Sequence, residues 1–198
     1  MSTRGEQTKE LILAKASRLF NEQGYSGASL SDVMKATGLQ KGGLYNHFGS
    51  KEDLALEAFE YAVKQVSERF AELLAGKNTA RERLEALLNG FQHYYDRPPV
   101  PGGCPIMNTA IDADDSNPRL RARARQAMDD FLQSIAAIIK GGIKRKEIRA
   151  DVNAKEAATI LLTSFEGGLM MSRLHGNSSY LKSVTEHMRQ YVRGLLVS

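Results

Sequence analysis

Apolar residues recur along almost the whole chain at intervals of three and four, the period of an α-helix with one buried face. Residues 6–23 set Ile12, Ala16, Leu19 and Phe20 on one stripe, and Gly24 follows as a residue free to turn left-handed and stop the helix. After a link at 25–29, a second, short helix is expected over 30–36, with Leu30 and Val33 inward. Ser29 and Asp32 have the spacing of a capping box, in which a hydroxyl and a carboxylate each accept from the other residue's backbone N–H. Gly38 breaks that helix, and a third is expected over 40–47. Ser50 and Asp53 repeat the capping signal and open a long helix over 51–75, and Thr79 and Glu82 open the next, to about 95.

The stretch "RPPVPGGCP" holds four of the five prolines, so 97–104 reads as a loop. Cys104 then stands as an N-cap, with Pro105 at the first helical position, where a missing N–H is tolerated. A short helix to 113, a turn over "DADDSNP" and a long helix over 118–140 follow, the last capped by Asn117. Gly141 and Gly142 are expected to weaken its end. Asn153 and Glu156 begin a helix to 174 that is apolar nearly all round, a pattern of burial on both sides. The last helix, 179–196, sets Leu181, Val184, Met188, Tyr191 and Leu195 at alternating three- and four-residue spacing, the period of a coiled-coil seam. Together with Ile160 and Leu161 of the preceding helix, this seam is the expected dimer interface. Every element is helical, so the fold class is all-α.

Composition narrows the possibilities. One cysteine leaves no internal disulfide and fits a reducing cytoplasm. No apolar run reaches the ~18 residues of a membrane span. The opening "MSTRGEQTKELILAKA" is polar and then amphipathic, without the apolar core of a secretion signal. The formal charge is +4, and residues 1–51 carry seven Lys and Arg against four acids, so the excess lies at the front and points to an anionic partner. The four histidines lack zinc-ligand spacing, and "DADDSN" lacks the glycine and glutamate of a calcium loop, so neither metal nor cofactor is expected. "RLRARARQ", residues 119–126, fans its arginines around a helix and reads as solvated. The chain has no G-x-S-x-G, Walker A, H-E-x-x-H or dinucleotide fingerprint, which argues against an enzyme. A helical small-molecule carrier or enzyme, and an architectural DNA binder without sequence choice, stand as alternatives.

Two short helices about a tight turn at Gly38 form a helix-turn-helix, whose second helix fits a major groove ~12 Å wide. That second helix begins in "QKGGLYNHF", although glycine costs a helix about 1 kcal/mol relative to alanine. Gly42 and Gly43 remove side chains where the helix starts, so the backbone can approach phosphates or base edges and offer them free N–H groups. Packing of Leu39, Leu44 and Phe48 offsets the lost helix stability.

From Ala28 to Leu54 the chain reads "ASLSDVMKATGLQKGGLYNHFGSKEDL", and upstream "ILAKASRLFNEQGY" spans Ile12 to Tyr25. These stretches resemble the TetR (tetracycline-repressor) family, whose pattern includes A-G-V-S-x-[GP]-[TS]-[LI]-Y-x-[HY]-F-x-[SN]-K-x-x-L. The match is specific over about residues 10–56 and architectural beyond. The resemblance implies a three-helix DNA-binding domain over 1–50 and a larger helical ligand-binding and dimerisation domain over 51–198. It implies a homodimeric transcriptional regulator, most often a repressor that a small-molecule effector releases from a palindromic double-stranded DNA operator, with no membrane partner.

Carried over by position, Ser29 would donate to a phosphate, and Gln40 and Lys41 would face DNA. Gly42 and Gly43 would allow close approach. Tyr45 would contact a phosphate or a thymine methyl, Asn46 a base edge and His47 a phosphate. Lys51 would clamp the DNA backbone, and Thr3 and Arg4 would form a flexible arm. Three positions depart from the pattern: Ala28 stands for a threonine, Met34 for a small alanine and Gly43 for a threonine or serine.

In the larger domain, Phe59, Phe91, Tyr94, Tyr95, Met107, Ile111, Met128, Phe131, Phe165 and Met170 are candidates to line an apolar cavity, with His93, Asn108 and Glu166 as its polar groups. Cys104, at a helix start behind two glycines, is a further candidate there and an alternative oxidant- or electrophile-sensing switch.

Overall fold

The computed structural model describes residues 3–113 and 116–197. Among them run α1 (Arg4–Gly27), α2 (Leu30–Thr37), α3 (Lys41–Tyr45), α4 (Lys51–Leu74), α5 (Ala80–His93), α6 (Pro105–Asp112), α7 (Pro118–Lys144), α8 (Ala154–Leu174) and α9 (Ser179–Leu195). No strand forms among the described residues, and an isolated bridge joins Ile148 to Leu196. No described helix is long and apolar enough to cross a membrane. The helices pack as two compact units, Met1–Ser67 with Pro99–Gln126 and Glu68–Pro98 with Ala127–Ser198.

The first unit is built on a core of Ile12, Ala16, Val33, Leu44, Phe48, Leu54 and Ala58. Its helices start where the capping signals lie. Ser29 and Asp32 form the reciprocal capping box at α2, and Gly38 ends that helix in the left-handed region at φ 72°. Helix α3 is shorter than expected, with Gln40 as its N-cap. Two expectations change. Thr3 and Arg4 are not a loose arm: Thr3 caps α1 in a capping box with Glu6, which satisfies first-turn N–H groups, and Arg4 is the first helical residue. Gly24 does not end α1 outright. It kinks the helix at φ 77°, ψ 163°, and one more turn follows to Gly27. The turn expected over 112–117 lies partly outside the described residues, at Asp114 and Asp115.

In the second unit, Thr79 and Glu82 cap α5 as their spacing predicts. Helix α7 runs through Gly141 and Gly142 to Lys144 rather than fading there. The reason is packing, because a Cβ on Gly142 would lie 2.6 Å from Ala80 Cβ and 2.7 Å from Ile148 Cδ1. Glycine here permits close approach, and that contact outweighs its poor helix propensity. Helix α8 is not covered on both sides. Ala157, Leu161, Phe165 and Leu169 are buried, whereas Ile160, Met170 and Leu174 are exposed. Helix α9 packs on α8 and α5, and its seam residues Leu181, Met188 and Leu195 are buried within the chain. Ser172 Oγ accepts from the Leu181 N–H at 2.8 Å, tying the two terminal helices together.

Candidate nucleic-acid interface

Helices α2 and α3 are held from inside and left bare outside. Val33 and Leu44 are buried in the core, with Leu30, Met34 and Leu39 packed against it. Phe48, just past α3, is buried too and anchors the helix at its end. With these side chains turned in, Gln40, Lys41, Gly42, Tyr45 and Asn46 are exposed on one short helix and its caps. Tyr45 is 43% exposed, large for an aromatic ring. Lys41 Nζ lies 5.8 Å from the centre of the Tyr45 ring, a cation–π spacing that gathers a positive charge and a flat apolar face at one spot. His47 is half-buried and tilted against Phe48, ring centres 6.3 Å apart.

Among the described residues nothing explains the glycines of α3. Neither has a positive φ. A Cβ on Gly42 would meet nothing within 4 Å, and one on Gly43 would make ordinary contact with Leu39 at 3.7 Å. Gly142 and Gly38 differ, since packing demands the one and a left-handed turn the other.

Other predicted contacts are partly engaged within the protein. The Ser29 hydroxyl donates to Asp32 Oδ2 at 2.6 Å while its oxygen caps α2. That pairing, with the Ser29 backbone N–H, holds the Asp32 carboxyl below its ordinary range. Ala28 is fully buried, so the position that the family fills with a threonine faces the interior here. Lys51 donates to the Tyr25 carbonyl oxygen at 2.6 Å and sits 4.5 Å from the centre of the Tyr25 ring. Burial, followed by the charge of Glu52, raises the Tyr25 phenol above its usual value. Arg119 of α7 reaches Glu52 at 2.7 Å and Asp53 at 3.3 Å, and Arg123 reaches Glu60 at 3.3 Å, so these two arginines stay more than half exposed while pairing with acids of α4.

The pocket candidates fall in both compact units. In the first unit, Phe59 and Asn108 border a cavity of about 30 Å³, together with Ser17, Asn21, Tyr25 and Asp112. That is room for about one water, far below the ~300 Å³ at which drug-sized ligand sites begin. Met107 is half-buried, and Ile111 is 69% exposed. Cys104 occupies the predicted N-cap but is buried. In the second unit Phe91 stacks on Phe165 at 4.1 Å, Phe70 touches Phe91 and Phe131, and Tyr94 meets Phe165 edge-on at 5.3 Å. This is a packed aromatic core. Tyr95, Met128 and Glu166 are half-buried, His93 is exposed and bonded to Asn89 of its own helix, and Met170 is exposed.

The dimer candidates separate in the same way. Leu161, Leu181, Met188 and Leu195 are buried inside the chain, Val184 and Tyr191 are half-buried, and Ile160 is exposed. A shallow groove lined by Thr163, Gly167, Ser183, Val184 and His187 runs between α8 and α9. Among the described residues no group of three His, Cys, Asp or Glu is placed to hold a metal ion.

Sequence reasoning missed the polar contacts between α1 and α6, in which Asn21 and Tyr25 meet Asn108 and Asp112. The partners lie 87 residues apart, and no local spacing links them.

Known proteins supply the remaining comparison. Residues 12–58 match the model of bacterial regulatory proteins, tetR family, and residues 80–188 match that of the tetracyclin repressor-like C-terminal domain. A TetR transcriptional regulator from Chloroflexus aurantiacus is 44% identical and superposes with a TM-score of 0.93 over 98% of both chains. The HTH-type transcriptional regulator LmrA of Bacillus subtilis is 28% identical over 90% of this chain and 93% of its own. A cysteine mutant of the TetR family regulator CifR, solved with 26-bp double-strand operator DNA, is 25% identical with a TM-score of 0.79 over 90% of this chain and 93% of that one.

Proposed function

Because the chain belongs to the TetR family, and is thus a DNA-binding transcriptional regulator rather than an enzyme, we propose that it is a homodimeric, cytoplasmic repressor released from a palindromic operator by a small molecule. The observation that carries this reading is the outer face of α3. Gln40, Lys41, Gly42, Tyr45 and Asn46 are exposed there on a helix anchored by Leu44, and the fold gives no reason for its glycines. Residues 1–50 form the DNA-binding part in this reading, and residues 51–198 the ligand-binding and dimerising part. Gly43, His47 and Ser29 flank the contact face, Ser29 once its hydroxyl turns from Asp32. CifR in complex with operator DNA supports the same mode of use.

For dimerisation, the support comes from α8. Ile160, Thr163, Gly167, Met170 and Leu174 follow one another at helical spacing and are all exposed, with Leu174 at 75%. An apolar stripe of this kind on a regulator that reads paired half-sites fits a second copy of the chain. The effector site belongs to the larger helical part in this reading, around the aromatic residues of α5, α7 and α8.

Selection of bound sequences from a random duplex pool, repeated with metabolite mixtures, tests the proposal. A palindrome with half-sites about 10 bp apart, or a multiple of that, supports it. Binding without sequence preference would instead make the protein an architectural binder. A metabolite that lowers operator occupancy must bind the DNA-incompetent form better, or no release occurs.

A further inference from the structure

Helix α6 is fastened to α1 by two polar rungs, one helical turn apart on each helix. At the first, the Asn108 amide donates to Asn21 Oδ1 and to the Gly102 carbonyl, both at 2.9 Å. The Asn21 amide in turn donates to the carbonyls of Pro101 at 2.8 Å and Gly103 at 3.1 Å. At the second rung, the Asp112 carboxylate accepts the Tyr25 backbone N–H at 2.7 Å. Residues 21 and 25, and residues 108 and 112, are each four apart, so the rungs are in register.

The second rung falls at the kink of α1. Gly24 is non-helical at φ 77° and ψ 163°, the Tyr25 N–H that follows it goes to Asp112, and a Cβ at Gly24 would stand 3.0 Å from Asp112 Oδ1. Glycine there satisfies both the backbone conformation and the approach of the carboxylate. The carbonyl of the same Tyr25 is held by Lys51 from α4. One residue, four before the cap of α2, is therefore gripped at its N–H by α6 and at its C=O by α4.

We infer that Asp112 and Asn108 are positioning residues for duplex binding: they fix the end of α1, and through it the placing of α2 and α3, without touching DNA. The inference rests on the DNA-binding reading above. It makes an unusual demand on the electrostatics. Removing an acid from a DNA-binding unit relieves repulsion of phosphate and by charge alone strengthens binding. Removing this one has the opposite effect, because the position of α2 and α3 is lost.

The test measures affinity for the duplex that the wild-type chain selects from a random pool, at several salt concentrations, for Asp112→Ala, Asp112→Asn and Asn108→Ala. Thermal unfolding confirms that each is folded at the assay temperature. Asp112→Ala is expected to bind about tenfold more weakly, the scale of one hydrogen bond to a charged group. The salt slope is expected to stay unchanged, since no phosphate contact is lost. Asp112→Asn keeps an acceptor for the Tyr25 N–H and is expected to recover most of the affinity, and Asn108→Ala to weaken binding like Asp112→Ala. Folded Asp112→Ala or Asn108→Ala that binds as tightly as the wild type, or more tightly, overturns the inference. Should neither fold, amide exchange of the wild type decides: a Tyr25 N–H as protected as the core of α1 supports the clamp, and an unprotected one refutes it. A wild-type chain that selects no duplex sinks the repressor reading itself, a separate result.

Discussion

Lys51 donates to the carbonyl oxygen of Tyr25 at 2.6 Å, with its ammonium 4.5 Å from the centre of that residue's ring. A lysine at the start of the long helix has two uses, a grip on phosphate or a grip on the protein, and here the second is engaged. With Lys51→Met, affinity for the selected duplex is expected to fall while the slope of log K against log salt stays as in the wild type. A slope shallower by about 1 would show that the ammonium neutralises a phosphate.

Gly42 is required by neither the turn nor the packing of α3. Gly42→Ala is expected to raise stability by up to about 1 kcal/mol, the helix-propensity difference. It is also expected to weaken duplex binding several-fold, because the methyl group stands where the groove approaches. Thermal melts and titrations on one preparation give both numbers. An alanine variant that binds as well as the wild type would mean that the duplex does not come close at this position.

Gly142 is the contrasting case. Its added methyl would collide with Ala80 and Ile148, so Gly142→Ala is expected to destabilise by about 1–3 kcal/mol despite its better helix propensity. Denaturant unfolding of the variant measures this directly.

Glu147 ties the start of α5 to the turn after α7 by accepting from the Ala80 N–H at 2.6 Å. The hydrogen bond from the Arg145 guanidinium, and then the Ala80 N–H, hold its carboxyl below the usual glutamate range. A folded-state value below the unfolded one means that the stabilisation is present above about pH 4.3 and is lost as pH falls through the folded value. Glu147→Gln cannot lose a charge, so its melting temperature is expected to fall less steeply than that of the wild type below that pH. Parallel acid-side melts of the two proteins make the comparison.

Met170 stands exposed in the middle of the α8 stripe. Met170→Glu sets a charge at the proposed contact between subunits and is expected to yield a folded monomer by sedimentation at micromolar concentration. A variant that sediments as a dimer would move the interface elsewhere.

Local chemistry carried far in this chain. Capping pairs such as Ser29 with Asp32 and Thr79 with Glu82, the prolines of the 97–105 loop and the 3.6-residue period bounded the helices to within a few residues, since each acts within one turn of backbone. The spacing from Gly38 through Lys51 was enough to mark out a helix-turn-helix. Periodicity reports that a face is apolar but not what covers it. Leu181, Met188 and Leu195 were therefore legible as a seam, while only packing against α8 and α5 decided that their own chain buries them and that Met170 and Leu174 stay exposed. Gly142 looked like a helix breaker until Ala80 and Ile148 closed on it. The grip of Asp112 and Lys51 on Tyr25 joins residues 87 and 26 positions apart, a distance over which side-chain spacing carries no signal and only the folded chain brings donor to acceptor.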